Sequence, residues 1–201
     1  FFNLCAVYVD RNVDTARLYL AIRSVLGTGF ADFLSHRDEA GVRRILGETI
    51  AHTGYIIMIL QVFVSRIFEK FKPIPSFLFG FVIVAAGFVV LGLASTGPAT
   101  LVFLGIFLFA VGEMISSPRI QEYITWIAPK EKAGLYMGSN FLAVGIGGAT
   151  SGVIYTSVYG YFRDGGHPDR VWYVLAAHTI AAIFALIAFQ KIAGDFREQD
   201  S

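Results

Sequence analysis

Residues 107–142, FLFAVGEMISSPRIQEYITWIAPKEKAGLYMGSNFL, decide the fold, and Glu113 is their oddity. It follows an apolar run from Ala99 to Gly112 that only Thr100 interrupts. A run of that kind is what a membrane-spanning helix requires, since about 20 mostly apolar residues cross the hydrocarbon layer. A charge near the middle of such a helix costs roughly 2.5–3.5 kcal/mol on insertion scales. Glu113 must therefore face water, a partner or the interior of a helix bundle.

The whole chain fits that setting. Its 201 residues are 55% hydrophobic and 15% charged, with mean hydropathy +0.62. Soluble domains carry about 25% charged residues. The formal net charge of +1 argues against a nucleic-acid partner. One cysteine, Cys5, leaves no internal disulfide framework and no cysteine-based metal site. No Walker loop or HExxH motif is present, so the sequence points to no cofactor, no metal and no enzyme activity.

Five windows have spanning length: Ile50–Phe68, Pro73–Ala94, Ala99–Trp126, Gly134–Tyr161 and Val171–Ile192. Residues 1–9, FFNLCAVYV, are too short to span and suit the outer end of a sixth helix, as in a fragment of a longer protein. Residues 10–48 carry six arginines and six acids among short apolar patches. Amphipathic helical pieces beside the membrane are expected there, with a solvated loop as the plainer alternative. Residues 49–192 hold the spans, and residues 193–201 form a tail.

Basic residues orient the spans. Arg66, Lys70 and Lys72 lie between the first and second, Lys130 and Lys132 between the third and fourth, and Lys191 and Arg197 at the end. Alternating spans bring these to one face, and lysine and arginine mark the cytoplasm. The tail is expected inside, although this leaves the arginines of residues 10–48 outside.

At this depth a carboxyl group is suited to exchanging protons or holding a cation, because burial favours its neutral form. A protonated glutamate binding two helices together is the structural alternative. Ser117 and Pro118 follow closely. Pro118 lacks an N–H and breaks the hydrogen-bond ladder, and free carbonyls beside a cavity are useful ligands in transporters. Arg119 and Glu122 are spaced to pair, either as an inner gate or as a helix-end anchor. Gln61 needs a partner in lipid and so points inward. His52 and Tyr55 share a helix face, and His178 suits an interhelical hydrogen bond. In the fourth span, Gly134 with Gly138, Gly148 with Gly152, and Gly145 with Ala149 are spaced for close helix approach. Asn140 stands among them as a cavity-lining candidate.

Gly112-Glu113, Ser117-Pro118, Ala128-Pro129-Lys130 and GLYMGSNFL at 134–142 resemble helices ten and eleven of the major facilitator superfamily. They are most similar to the proton-dependent oligopeptide transporter branch. The resemblance implies an all-α membrane protein, the C-terminal six-helix bundle of that fold, with five complete spans and the end of another. It implies a multi-pass protein of the cell (inner) membrane with a cytoplasmic C-terminus and an N-terminal six-helix half as partner. It also implies proton-coupled symport of a small solute such as a short peptide, with Glu113 meeting the peptide's amino end. Gln61, Asn140, Ser117 and Tyr55 would line the cavity, and Arg119 with Glu122 would gate it. Two positions depart from the pattern. Asn140 stands where a tryptophan is usual, and His52-Thr53 replaces an Asn-Pro. A non-transporting receptor or assembly subunit on the same fold is the alternative.

Overall fold

The computed structural model describes residues 2–45 and 54–193, with side chains described over 4–45 and 60–192. A short helix α1 (Phe2–Asn12) leads into α2 (Thr15–Leu26) and α3 (Thr28–Leu34), then a small hairpin of β1 (Ser35–Arg37) and β2 (Arg43–Ile45). Five helices follow: α4 (Gly54–Phe68), α5 (Pro73–Leu93), α6 (Leu101–Ile127), α7 (Ala133–Asp164) and α8 (Arg170–Ala193). The chain is an all-α membrane protein. Pro73–Leu93, Leu101–Ile127, Lys130–Asp164 and Arg170–Ile192 are each long and apolar enough to cross a bilayer. Of the first expected span, only α4, 15 residues long, is described. His52 and Thr53 lie outside the described residues.

Residues 10–45 form more than the expected amphipathic pieces. Asp14 caps α2 by accepting from the Arg17 N–H at 3.2 Å, which satisfies one orphan donor of the first turn. Gly27, at φ +85°, turns the chain from α2 into α3 in a conformation that only glycine adopts freely. The hairpin pairs Ser35 with Ile45 and Arg37 with Arg43. Asp32 ties it to the helices, accepting from Tyr19 Oη at 2.8 Å and pairing with Arg43 at 3.0 Å.

The close helix approach is between α5 and α6. Their glycines recur every seven residues, Gly80 and Gly87 against Gly112 and Gly105. A Cβ on Gly112 would meet the Gly80 carbonyl oxygen at 2.6 Å, and one on Gly87 would meet the Phe109 nitrogen at 2.8 Å. The order is antiparallel, and backbone lies on backbone. This corrects the expectation for the fourth span. Gly134, Gly138, Gly145, Gly148 and Gly152 of α7 have nothing within 4 Å of where a side chain would start. Spacing alone cannot say which face of a helix is covered.

The core sits at one end of the bundle. Trp172, at the start of α8, is fully buried, with Phe88 of α5 stacked at 6.2 Å and Tyr8 of α1 edge-on at 5.0 Å. Tyr159 joins them from α7 and accepts from Asn12 Nδ2 at 3.0 Å. Towards its other end α7 becomes exposed, with Leu135, Phe141, Leu142 and Ile146 uncovered.

Candidate functional site

α6 is 27 residues long, about 40 Å at 1.5 Å per residue, and Glu113 lies near its midpoint. Gly112 is pressed against α5, which turns the next residue towards the open side of the bundle. Glu113 is half-buried there, on the wall of an open cleft of about 1180 Å³. The carboxylate accepts from Ser117 Oγ at 3.1 Å, one turn along the helix.

The cleft lies among α1, α5, α6, α7 and α8. Phe81, Val84, Phe88 and Phe109 make one wall apolar. The α7 wall is a single helical face in steps of three and four: Gly148, Ser151, Gly152, Tyr155, Thr156, Tyr159, Gly160 and Arg163. Small residues on this face hold space open where the sequence suggested they would close it. α8 contributes His178 and Thr179, and α1 contributes Arg11. Arg11, Arg163 and Tyr155 escaped sequence reasoning. The two arginines sit at helix ends, where basic residues are unremarkable, and Tyr155 is one tyrosine of nine.

The remaining expected site residues fall in different places. Gln61 of α4 donates to the Met114 carbonyl of α6 at 3.1 Å and to Ser65 Oγ at 3.0 Å. Met114 is four residues before Pro118, so its carbonyl is the one that the missing N–H leaves free. Gln61 points inward as expected, and its partner is that carbonyl. Ser117 is exposed and bonded to Glu113. Asn140 is half-buried on α7, two turns before the part of that helix that walls the cleft. Tyr55 is on α4, but its side chain lies outside the described residues.

Arg119 and Glu122 are paired. Arg119 is 3% exposed and also donates to the Phe71 carbonyl at 2.9 Å, in the connection between α4 and α5. The pair sits beside a smaller pocket of about 200 Å³ shared by the start of α5 and the ends of α6 and α8, including Pro73, Tyr123 and Gln190. The two ends of the bundle are thus distinct. The end that carries Lys72, Lys130 and Lys191 has Arg119 tied to the backbone, and the opposite end has the aromatic core. Among the described residues no group of three or more His, Cys, Asp or Glu side chains is placed to hold a metal ion.

Over 152 residues the chain is 27% identical to the Multidrug resistance protein MdtH of Aeromonas salmonicida (strain A449). The matched stretch covers 75% of this chain and 38% of that relative, so the chain spans well under half the relative's length. No family model matches the chain, and no solved structure matches it.

Proposed function

We propose that the chain is the C-terminal six-helix half of a secondary transporter of the major facilitator superfamily. It would work with an N-terminal half by alternating access about a site at mid-membrane depth. The observation that carries this reading is Glu113, a carboxylate at the midpoint of a spanning helix on the wall of an open cleft. An ionisable group within a membrane-spanning helix is a functional site by default. Similarity to a protein named for multidrug resistance supports the superfamily and widens the cargo beyond short peptides. Aromatic side chains facing one carboxylate suit an apolar solute with a positive group, by ion pairing and cation–π attraction.

In this reading Glu113 binds the cation, a proton, or each in turn. Ser117 orients the carboxylate. Gln61 steadies α6 at its proline, Asn140 and Tyr55 serve the solute path, and Arg119 with Glu122 closes the inner end. The lysines and arginines of the connections support a reading in which that end and the C-terminus face the cytoplasm and the protein sits in the cell's inner membrane. The test is flux in sealed vesicles carrying the full-length protein, with a labelled dipeptide and a lipophilic organic cation as cargo. An imposed pH gradient is expected to drive at least one of them. Glu113→Gln is expected to lower that flux about tenfold, equivalent to roughly 1.4 kcal/mol. Flux that ignores both the gradient and the substitution would overturn the reading in favour of a receptor or assembly subunit.

A further inference from the structure

The smaller pocket, where α5 starts and α6 and α8 end, has no part in that reading. Ile74 and Phe77 of α5, Ile120 and Ile124 of α6, and Leu186 and Phe189 of α8 make it apolar. Arg119 lines it too and is 3% exposed. Two of the guanidinium nitrogens are engaged, Nη1 by Glu122 and Nη2 by the Phe71 carbonyl. The Nε–H is buried with no acceptor among the described residues. Polar groups elsewhere in the bundle are answered between helices: Gln61 donates to the Met114 carbonyl, and His178 Nδ1 shares a hydrogen bond with the Tyr155 hydroxyl. A buried donor left over in a native fold calls for an acceptor from outside the chain. We propose that this pocket seats an anionic phospholipid of the surrounding bilayer, with one acyl chain between α5, α6 and α8 and a phosphate oxygen accepting from Arg119 Nε.

The position suits a lipid. The Phe71 carbonyl that Arg119 reaches belongs to the connection between α4 and α5, so the guanidinium stands at the rim of the bundle, where headgroups lie. Phe77 and Leu186 are each five residues further in than Lys72 and Lys191, about 7 Å along a helix axis. The apolar walls therefore run from the guanidinium towards the hydrocarbon. A free phosphate would meet Arg119 Nε but leave those walls uncovered. Such a seat requires only that the chain cross a bilayer, whichever way it faces.

The charge suits an anion. Lys72 precedes the first pocket residue of α5, Lys191 follows the last of α8, and both are exposed. The Glu122 carboxylate opposes an anion, but it offsets only the charge of Arg119, and the two lysines leave the mouth positive. Basic pockets between membrane helices take anionic lipid headgroups, and the planar guanidinium fork matches a phosphate. Tyr123 and Gln190 add polar groups to the same lining.

The test is lipid binding to the full-length protein, stripped of lipid in a neutral detergent and read by native mass spectrometry. Phosphatidylglycerol is the probe, with phosphatidylcholine and inorganic phosphate for comparison. No cargo or gradient is present, so failure here leaves the transport reading untouched. At its tightest site phosphatidylglycerol is expected to bind about fivefold more strongly than phosphatidylcholine, and a large excess of inorganic phosphate is expected not to displace it. Arg119→Lys keeps the charge but loses the Nε donor and the fork, and is expected to weaken binding about tenfold. Leu186→Trp fills the pocket with every charge in place and is expected to do the same. Glu122→Gln removes the opposing carboxylate and is expected to tighten binding severalfold, whereas an arginine that served only as half of a structural pair would lose its hold and bind lipid less well. Circular dichroism verifies that each variant is folded, and Leu186→Trp with Glu122→Gln carries the test if Arg119→Lys is not. Equal affinity for the two lipids, displacement by phosphate, unchanged binding in Leu186→Trp or in folded Arg119→Lys, or weaker binding in Glu122→Gln would each overturn the proposal.

Discussion

At Pro118, one missing N–H is answered across the bundle by Gln61, 3.1 Å from the Met114 carbonyl. Such a bond between membrane helices is worth about 1 kcal/mol. Gln61→Leu is expected to destabilise the protein by that amount in reversible unfolding from mixed micelles. In a Pro118→Ala background, which restores the N–H to the ladder, the same substitution is expected to cost almost nothing. Equal costs in both backgrounds would mean that Gln61 serves something else. The sequence showed that Gln61 points inward and that Pro118 frees a carbonyl, but not that the two meet. That pairing depends on the register of α4 against α6, which local sequence does not carry. The position of Glu113 near the middle of α6 was legible because counting along an apolar run needs no tertiary information.

Among the elements, α5 with α6 and the lone face of α7 use glycine in opposite ways. A Cβ on Gly112 would meet Val84 Cγ2 at 2.5 Å. Gly112→Val is expected to lower stability by about 1–3 kcal/mol, the usual cost of overpacking, measured by thermal unfolding. Gly152 lies on the cleft wall with nothing within 4 Å. Gly152→Leu is expected to leave the melting temperature in place and reduce flux by filling the cleft. The sequence reading took the GxxxG pairs of α7 for the close approach and passed over the seven-residue glycine spacing of α5 and α6, which the structure brings face to face. The hairpin was not legible, since strands of three residues rich in arginine and histidine show no alternation. Its turn is held by Asp38, whose carboxyl the Arg44 side chain and the Val42 N–H keep below the usual value of 3.8. A depressed acid stabilises above its ordinary pKa and loses that contribution as pH falls through the lowered value. Protection of the turn amides, taken as the exchange rate relative to an unfolded peptide at the same pH, is therefore expected to hold down to about pH 4 and to fall only below the ordinary carboxylate range.

For the whole molecule, hydropathy placed the four long spans within a few residues because lipid leaves a backbone few alternatives to helix. It could not show that the bundle is packed at one end, around Trp172 and Tyr159, and open along the arm of α7. That asymmetry is what gives Glu113 a cleft to face, and the wetness of the cleft is the point on which function rests. It can be measured with a membrane-impermeant thiol reagent on the reconstituted protein carrying Cys5→Ala. Glu113→Cys is expected to react readily and to be shielded by bound solute. Met114→Cys, one residue on and 2% exposed in the wild type, is expected to stay inert. If Glu113→Cys is as unreactive as Met114→Cys, the carboxylate lies in dry packing and has no transport role.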